Sequence, residues 1–183
     1  INLVLNAIQA TPAGGWVPIT GEGGHVSLAP VDAREQAVLQ RLTERFGHAS
    51  AERALSGPGL VNLYEAVCHL AGSPPRPVTG AADVIERARR EGDLACAEAL
   101  ALFFGFLGSV AGNLALTLGA RGGVYIGGGI VPRLLPELER SSFRERFEAK
   151  GRFRDYLAAI PTWVIQTSVS PAFAGVARAL DQA

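Results

Sequence analysis

The chain alternates short apolar runs with longer segments in which apolar residues recur every three or four positions. Residues 2–20 contain two apolar runs on either side of Pro12 and Gly14, a pattern that predicts a β-hairpin. The runs at 122–129 and 162–167 contain valine, isoleucine and aromatic residues, which is typical of short strands covered on both faces. Because helical segments separate these strands, the pattern predicts a layered α/β domain.

Helical periodicity is clearest at residues 31–47 and returns in several later segments. Those segments are 48–72, 81–92, 130–141, 141–151, 152–160 and 171–182. Residues with short polar side chains that cap helix N-termini precede three of the predicted helices, namely Asp32, Ser50 and Asp93. Gly47 is a C-terminal stop signal. The Gly-Pro-Gly sequence at 57–59 predicts a break between two helices, the second of which runs to about Leu70.

Residues 100–120 form an uncharged stretch long enough to span a bilayer, and Gly108 and Gly112 have the small-residue spacing of membrane helices. However, Asn113 interrupts the stretch, no Trp or Tyr marks either end, and the flanks show no Lys/Arg asymmetry. These features favour a buried helix that lies against a sheet, with glycines where another backbone comes close.

The 183 residues include 17 basic and 17 acidic side chains, so no charge excess would attract nucleic acid or anionic lipid. Neither nucleic acid nor a membrane is therefore expected as a partner. Cys68 and Cys96 lack a metal-ligand spacing and fit a reducing compartment, here the cytoplasm, although a disulfide between them stays open. The chain has no Met and opens on Ile1 without a secretory signal, so we interpret it as part of a longer protein.

Residues 21–30 form a glycine-rich loop with two candidate binding side chains, Glu22 and His25. Glycines allow a ligand to approach the main chain closely. A carboxylate accepts hydrogen bonds from neighbouring hydroxyls and an imidazole donates or accepts another, which suits a sugar, but a solvated loop fits the same spacing. A metal site is disfavoured because the Glu-x-x-His pair has neither a helix nor a duplicate. Glu52 has the position of an ordinary first-turn glutamate in a helix.

Residues 122–134 join a short apolar strand to a helix through three glycines, Gly127, Gly128 and Gly129. Such a junction offers free backbone donors and close approach to a nucleotide or phosphate. Pro132 stands where the dinucleotide-binding fingerprint needs glycine, so a Rossmann oxidoreductase is disfavoured, and no P-loop sequence is present.

Four segments, in this order and with compatible spacing, resemble the bacterial ATP-dependent glucokinase family. They are residues 21–30, 47–67, 112–135 and 143–161, and the likeness covers nearly the whole chain. The resemblance implies an actin-like ATPase (ribonuclease H-like) large domain, in which helices pack on a mixed β-sheet. It also implies a kinase that transfers the γ-phosphoryl group of ATP, with Mg²⁺ accompanying the nucleotide, to the 6-hydroxyl of glucose.

The resemblance assigns roles to six residues. Glu22, His25 and Glu52 match family residues that bind glucose hydroxyls, and Gly127, Gly128 and Gly129 match the family's adenosine-side motif. The family's catalytic Asp and both phosphate loops have no match in this chain, so no catalytic base and no metal ligand is expected among its residues. We therefore expect residues 1–165 to be a large domain without its first phosphate-loop strand, and 166–183 to be a segment that returns to a second domain. A homodimer is also implied.

Two other classes of protein compete with this interpretation. One is a sugar-binding regulatory module, fused in the full protein to a transcription-factor domain. The other is an oxidoreductase nucleotide domain, which would bind NAD. In the glucokinase interpretation, the isolated chain is expected to be inactive, because the catalytic Asp and both phosphate loops are absent from it.

Overall fold

A computed structural model gives the structure of residues 3–4 and 21–166. The helices within these ranges are α1 (Ala33–Phe46), α2 (Ala51–Ala54), α3 (Gly57–Leu70), α4 (Ala81–Glu86), α5 (Leu94–Leu118), α6 (Leu135–Arg140), α7 (Phe143–Glu148) and α8 (Arg154–Ala158). Short 3₁₀ turns lie at Gly23–His25, Val131–Arg133 and Gly151–Phe153, and a π-helical turn at Arg87–Glu91 follows α4. The strands are β1 (Leu3–Val4), β2 (Val124–Ile126) and β3 (Thr162–Val164).

The three strands form a small mixed sheet in the order β1-β2-β3, as the resemblance implied. β1 pairs with β2 antiparallel, and β2 pairs with β3 parallel, with Tyr125 opposite Trp163. The two aromatic rings stack with centroids 4.7 Å apart. Trp163 is nevertheless 42% exposed, so the prediction that both faces of this strand are covered was wrong there. Helices outnumber strands among the described residues, which form a helix-rich α/β structure.

Parts of the predicted organisation fall outside the described residues. Only Leu3–Val4 of the predicted hairpin is described, and the predicted helix at 171–182 lies beyond residue 166. The division at residue 165 therefore stays a prediction, as does the ribonuclease H-like topology.

The predicted capping side chains cap the helices. Asp32 accepts a hydrogen bond from the Glu35 backbone N–H (2.7 Å), and Asp93 accepts from the backbone N–H of Ala95 (3.0 Å) and Cys96 (3.1 Å). Ser50 does the same for α2, and Gly47 ends α1 in the left-handed conformation (φ 76°). The predicted break at 57–59 was misplaced, because proline is tolerated in a first helical turn. These residues open α3, and the chain bends before them, at Leu55 and Ser56.

Helix α5 is buried, as predicted, but mainly by the helices α3 and α7 instead of the sheet. Two of its glycines face the α7 backbone. A Cβ at Gly108 would lie 2.2 Å from the Phe143 carbonyl oxygen, and one at Gly112 would lie 2.4 Å from that of Phe147. Only glycine permits this approach, which confirms the predicted reason for these residues. The helix is long and apolar enough to cross a membrane, yet 67% of its most apolar window is buried within the protein.

A buried ion pair joins α1 to α7. The Arg146 guanidinium binds the Glu35 carboxylate through two nitrogens and also donates to the Ser109 hydroxyl of α5 at 2.8 Å. The side chains of Arg146 and Glu35 are 13% and 4% exposed. Nearby, Lys150 donates to the Ser109 carbonyl oxygen (3.2 Å), and burial lowers the pKa of its ammonium group. This network fixes how three helices meet.

Both cysteines lie in the core as free thiols, which answers the question of a disulfide between them. Cys68 on α3 is 5% exposed and Cys96 on α5 is fully buried. Burial raises the pKa of the Cys96 thiol to about 11.

Candidate functional site

The glycine-rich loop is fastened to α2 by its backbone. Residues Gly23–His25 form a 3₁₀ turn, in which the His25 N–H donates to the Glu22 carbonyl oxygen at 2.9 Å. The Ala51 N–H then donates to the Val26 carbonyl oxygen (2.9 Å), and the Leu28 N–H donates to that of Ala49 (3.0 Å). The loop and the start of α2 are thus held side by side.

This arrangement brings together the three side chains predicted to bind sugar. Nδ1 of His25 lies 3.3 Å from Oε2 of Glu22, and Nε2 of the same ring lies 3.5 Å from Oε2 of Glu52. One imidazole therefore stands between two carboxylates that are 30 positions apart in the sequence. Spacing alone could not bring Glu52 into the group, since it depends on how α2 packs against the loop.

The cluster has hydrogen-bonding capacity to spare. The side chains of Glu22, His25 and Glu52 are 87%, 64% and 57% exposed. A neutral imidazole has a single N–H, so it can donate to only one of the two carboxylates. A group of acceptors around one ring, open to solvent, is suited to a ligand that brings several hydroxyl donors.

The predicted nucleotide-side glycines directly follow strand β2. Gly127 is buried, whereas Gly128 and Gly129 are exposed. Gly128 has φ 113°, a backbone conformation that side chains disfavour, and a Cβ at Gly128 or Gly129 would meet no atom within 4 Å. Within this glycine turn, residues 127–129, the space beside Gly128 and Gly129 is therefore open. The turn and the Glu22, His25 and Glu52 cluster belong to different elements of the fold.

Comparison with known proteins decides the family. The sequence model of the glucokinase family, described as "Glucokinase", matches residues 6–183. The chain belongs to the glucokinase family. The glucokinase of Aromatoleum aromaticum is 56% identical over 169 residues, which cover 92% of this chain and 50% of that protein. The bifunctional protein glk of Paraburkholderia xenovorans is 50% identical, over 91% of this chain and 26% of that protein.

The glucokinase family also provides the structural likeness. The crystal structure of a glucokinase from an Antarctic psychrotroph superposes with a TM-score of 0.79 and 38% identity, over 85% of this chain and 48% of that one. The chain thus spans about half the length of the glucokinases that it matches.

Sequence reasoning missed one contact that supports the candidate glucokinase site. The Oγ atom of Ser27 and Nε2 of His48 are 2.8 Å apart, which ties the glycine-rich loop to the segment between α1 and α2. No local signal indicates this pair, because the two residues are separated by 21 positions and come together only through the Ser27–Ser50 β-bridge.

A cavity lies apart from these predicted binding residues. A groove of about 650 Å³ runs between α1, α3 and the loop at 72–75. Its cations Arg41 and Arg45 are already paired with Glu44 and Glu65. Among residues 3–4 and 21–166, no three His, Cys, Asp or Glu side chains are placed to hold a metal ion.

Proposed function

We propose that this chain forms the sugar-binding and nucleotide-binding faces of a glucokinase that transfers the γ-phosphoryl group of ATP to the 6-hydroxyl of glucose. The observation that carries the proposal is the convergence of Glu22, His25 and Glu52 in a chain of the glucokinase family. Each carboxylate accepts hydrogen bonds from sugar hydroxyls, and the His25 ring donates to or accepts from another. The sugar would thereby enter an exposed site whose carboxylates have acceptor capacity to spare.

The glycine turn receives the nucleotide in this proposal. Because Gly128 and Gly129 have open space where side chains would lie, adenosine can approach the main chain there. Mg²⁺ supplies charge neutralisation on the phosphates when it is bound. The described residues do not fit a metal site of their own, so the ion would come with the nucleotide.

The reaction forms a bond between the sugar O6 atom and the γ-phosphorus and breaks the bond from that phosphorus to the bridging oxygen, which leaves with ADP. The proton of the 6-hydroxyl goes to a carboxylate that the family resemblance places outside these 183 residues. Phosphoryl transfer depends on positioning and electrostatic stabilisation more than on covalent chemistry. The contribution of Glu22, His25 and Glu52 is therefore to hold the sugar in one orientation.

Substituting the two glutamates tests the sugar assignment in the full-length protein. We expect Glu22→Gln and Glu52→Gln each to lower kcat/KM for glucose, because each loses a charged hydrogen-bond acceptor. The loss should correspond to about 1 to 3 kcal/mol of transition-state stabilisation. Steady-state kinetics measure the loss. Glu44→Gln, an exposed glutamate on α1, is the control and should leave kcat/KM unchanged. Unaltered kinetics in both site variants would make the cluster an ordinary polar surface.

The 183-residue chain alone should not phosphorylate glucose, since the family's catalytic Asp and phosphate loops have no match in it. A coupled assay for ADP release measures this directly, and substantial turnover would contradict the expectation. Calorimetric titration of the folded chain with glucose, with a non-hexose polyol as control, addresses binding. Saturation at millimolar glucose or below indicates a preformed half-site, whereas no binding indicates a site completed by another lobe.

A second candidate function is a sugar-binding regulatory module. A fusion to a second domain has a precedent, because the bifunctional protein glk of Paraburkholderia xenovorans is about four times as long as its segment that is 50% identical to this chain. A full-length protein that binds glucose tightly but has no ATP-dependent turnover would support this alternative. Turnover that depends on Glu22 and Glu52 would support the kinase.

Three further parts of the proposal rest on the family resemblance and the sequence. We propose a homodimer, a cytoplasmic location, and glucose and ATP as partners, with neither nucleic acid nor membrane bound by this segment. Light scattering of the purified full-length protein measures the first of these, and a monomer at micromolar concentration would contradict it.

A further inference from the structure

The segment that follows the glycine turn is held by a side chain from a distant helix. Arg89 lies in the π-helical turn Arg87–Glu91 and reaches across 44 positions to donate to the Arg133 carbonyl oxygen at 3.1 Å. The same guanidinium binds both carboxylate oxygens of Glu137 in the first turn of α6, one of them at 2.7 Å. This bidentate pair fixes both distance and direction.

The position of these two contacts relates Arg89 to the glycine turn. The turn is held on its N-terminal side by strand β2, where the Ile126 carbonyl oxygen accepts from the Ile165 N–H at 2.8 Å. On the other side the chain passes through the 3₁₀ turn Val131–Arg133, whose last carbonyl group Arg89 binds. Arg89 thus secures the C-terminal end of a short segment that begins with glycines.

The π-helical turn that contains Arg89 is itself held by contacts at both of its ends. Its N-terminal residue Arg87 donates to the Pro77 carbonyl oxygen at 2.6 Å, and at its C-terminal end Glu91 pairs with Arg76 at 3.2 Å. The Arg76 guanidinium also binds Asp93, the cap of α5.

We propose that Arg89 is a positioning residue for the nucleotide, acting through the Arg133 carbonyl group and Glu137 to keep the glycine turn in its binding conformation. This inference rests on the proposed function of Gly127, Gly128 and Gly129. Glycines leave a turn conformationally free, so without an anchor the nucleotide has to order the segment as it binds, which lowers its affinity. Hydrogen bonding to Arg89 also lowers the pKa of the Glu137 carboxyl, so the pair is charged at neutral pH.

The test compares Arg89 with its neighbour Arg90 in the full-length protein. Arg90 pairs with Glu86 within its own helical segment and is 79% exposed, so Arg90→Ala is the matched control. We expect Arg89→Ala to raise the KM for ATP and the calorimetric Kd for ADP by roughly tenfold, with the KM for glucose changed less than twofold. Arg90→Ala should change none of these values. A general loss of structure would instead change the KM values for ATP and for glucose together.

Conservative variants keep the test informative if Arg89→Ala unfolds. Arg89→Lys keeps the charge but loses the two-pronged geometry, so its nucleotide affinity should be intermediate. The double variant Arg89→Glu with Glu137→Arg should recover part of the nucleotide affinity that Arg89→Ala loses. Equal ADP affinity in wild type, Arg89→Lys and Arg89→Ala would overturn the positioning role.

A variant of the turn itself separates the two proposals. Gly128→Val places a side chain at φ 113° in the open space beside the turn, so ADP binding should weaken strongly. If Gly128→Val weakens ADP binding and Arg89→Ala does not, only the positioning role is wrong. If Gly128→Val leaves ADP binding unchanged, the nucleotide assignment of the turn fails and the positioning role fails with it.

Discussion

Replacing Arg146 with methionine is expected to lower the free energy of unfolding by about 3 to 5 kcal/mol, because it leaves the Glu35 carboxylate buried without its partner. Among the described residues, the Val31 N–H (3.0 Å) would then be the remaining hydrogen-bond donor to the Glu35 carboxylate. Urea unfolding followed by circular dichroism measures the change. Arg90→Met, at an exposed position, is the control.

A double variant distinguishes the cost of an unpaired charge from the loss of the arginine side chain. Arg146→Met combined with Glu35→Met removes both charges, and it should recover a substantial part of the lost stability. A single variant that costs less than about 1 kcal/mol, as exposed pairs do, would contradict the buried role given to this pair.

Gly108→Ala should destabilise the protein by about 3 kcal/mol, at the upper end of the range for overpacked cores. The added methyl group would lie 2.2 Å from the Phe143 carbonyl oxygen, so α7 has to move away from α5. Gly57→Ala is the control, because the same methyl group there would meet no atom within 4 Å. Alanine has the higher helix propensity, so Gly57→Ala should be neutral or slightly stabilising.

Thermal and urea unfolding of both variants measure the difference. Equal stability of Gly108→Ala and wild type would mean that α7 is free to shift, and the close approach of the two helices would not limit packing.

Local signals explain most of what the sequence predicted correctly about the fold. Asp32, Ser50 and Asp93 cap helices through backbone groups two or three positions away, so a short stretch contains all the information. Gly108 and Gly112 indicated that some backbone approaches α5, but not which one. The misplaced break at 57–59 shows that a local signal can also mislead, since Gly and Pro fit the first turn of a helix as well as its end.

Contacts between distant segments could not be predicted in this way. Arg146 and Glu35 are 111 positions apart, and Arg89 and Glu137 are 48 apart. Many charged residues in the sequence could pair equally well by charge alone. The partner is selected by the packing of α5 against α7 and by the π-helical turn, and the sequence shows neither which helix packs on α5 nor where the π-helical turn forms.

The candidate site was predicted through family resemblance more than through physical chemistry. Spacing alone fitted a solvated loop as well as a sugar site for Glu22 and His25, and it made Glu52 an ordinary helix residue. The structure adds the contact between these residues, through the backbone bonds that join the loop to α2. Their role in binding glucose stays a prediction.

The rate at which thiol reagents modify the two buried cysteines should report how often the protein opens. Thiol reagents attack the thiolate, and Cys96 is both inaccessible and held protonated by a pKa of about 11. Modification therefore has to wait until α3 and α5 separate, so the labelling rate reports the frequency of that separation. A single new cysteine placed on the surface would be labelled long before the native pair, which makes the chain suitable for attaching a fluorophore without removing either natural thiol.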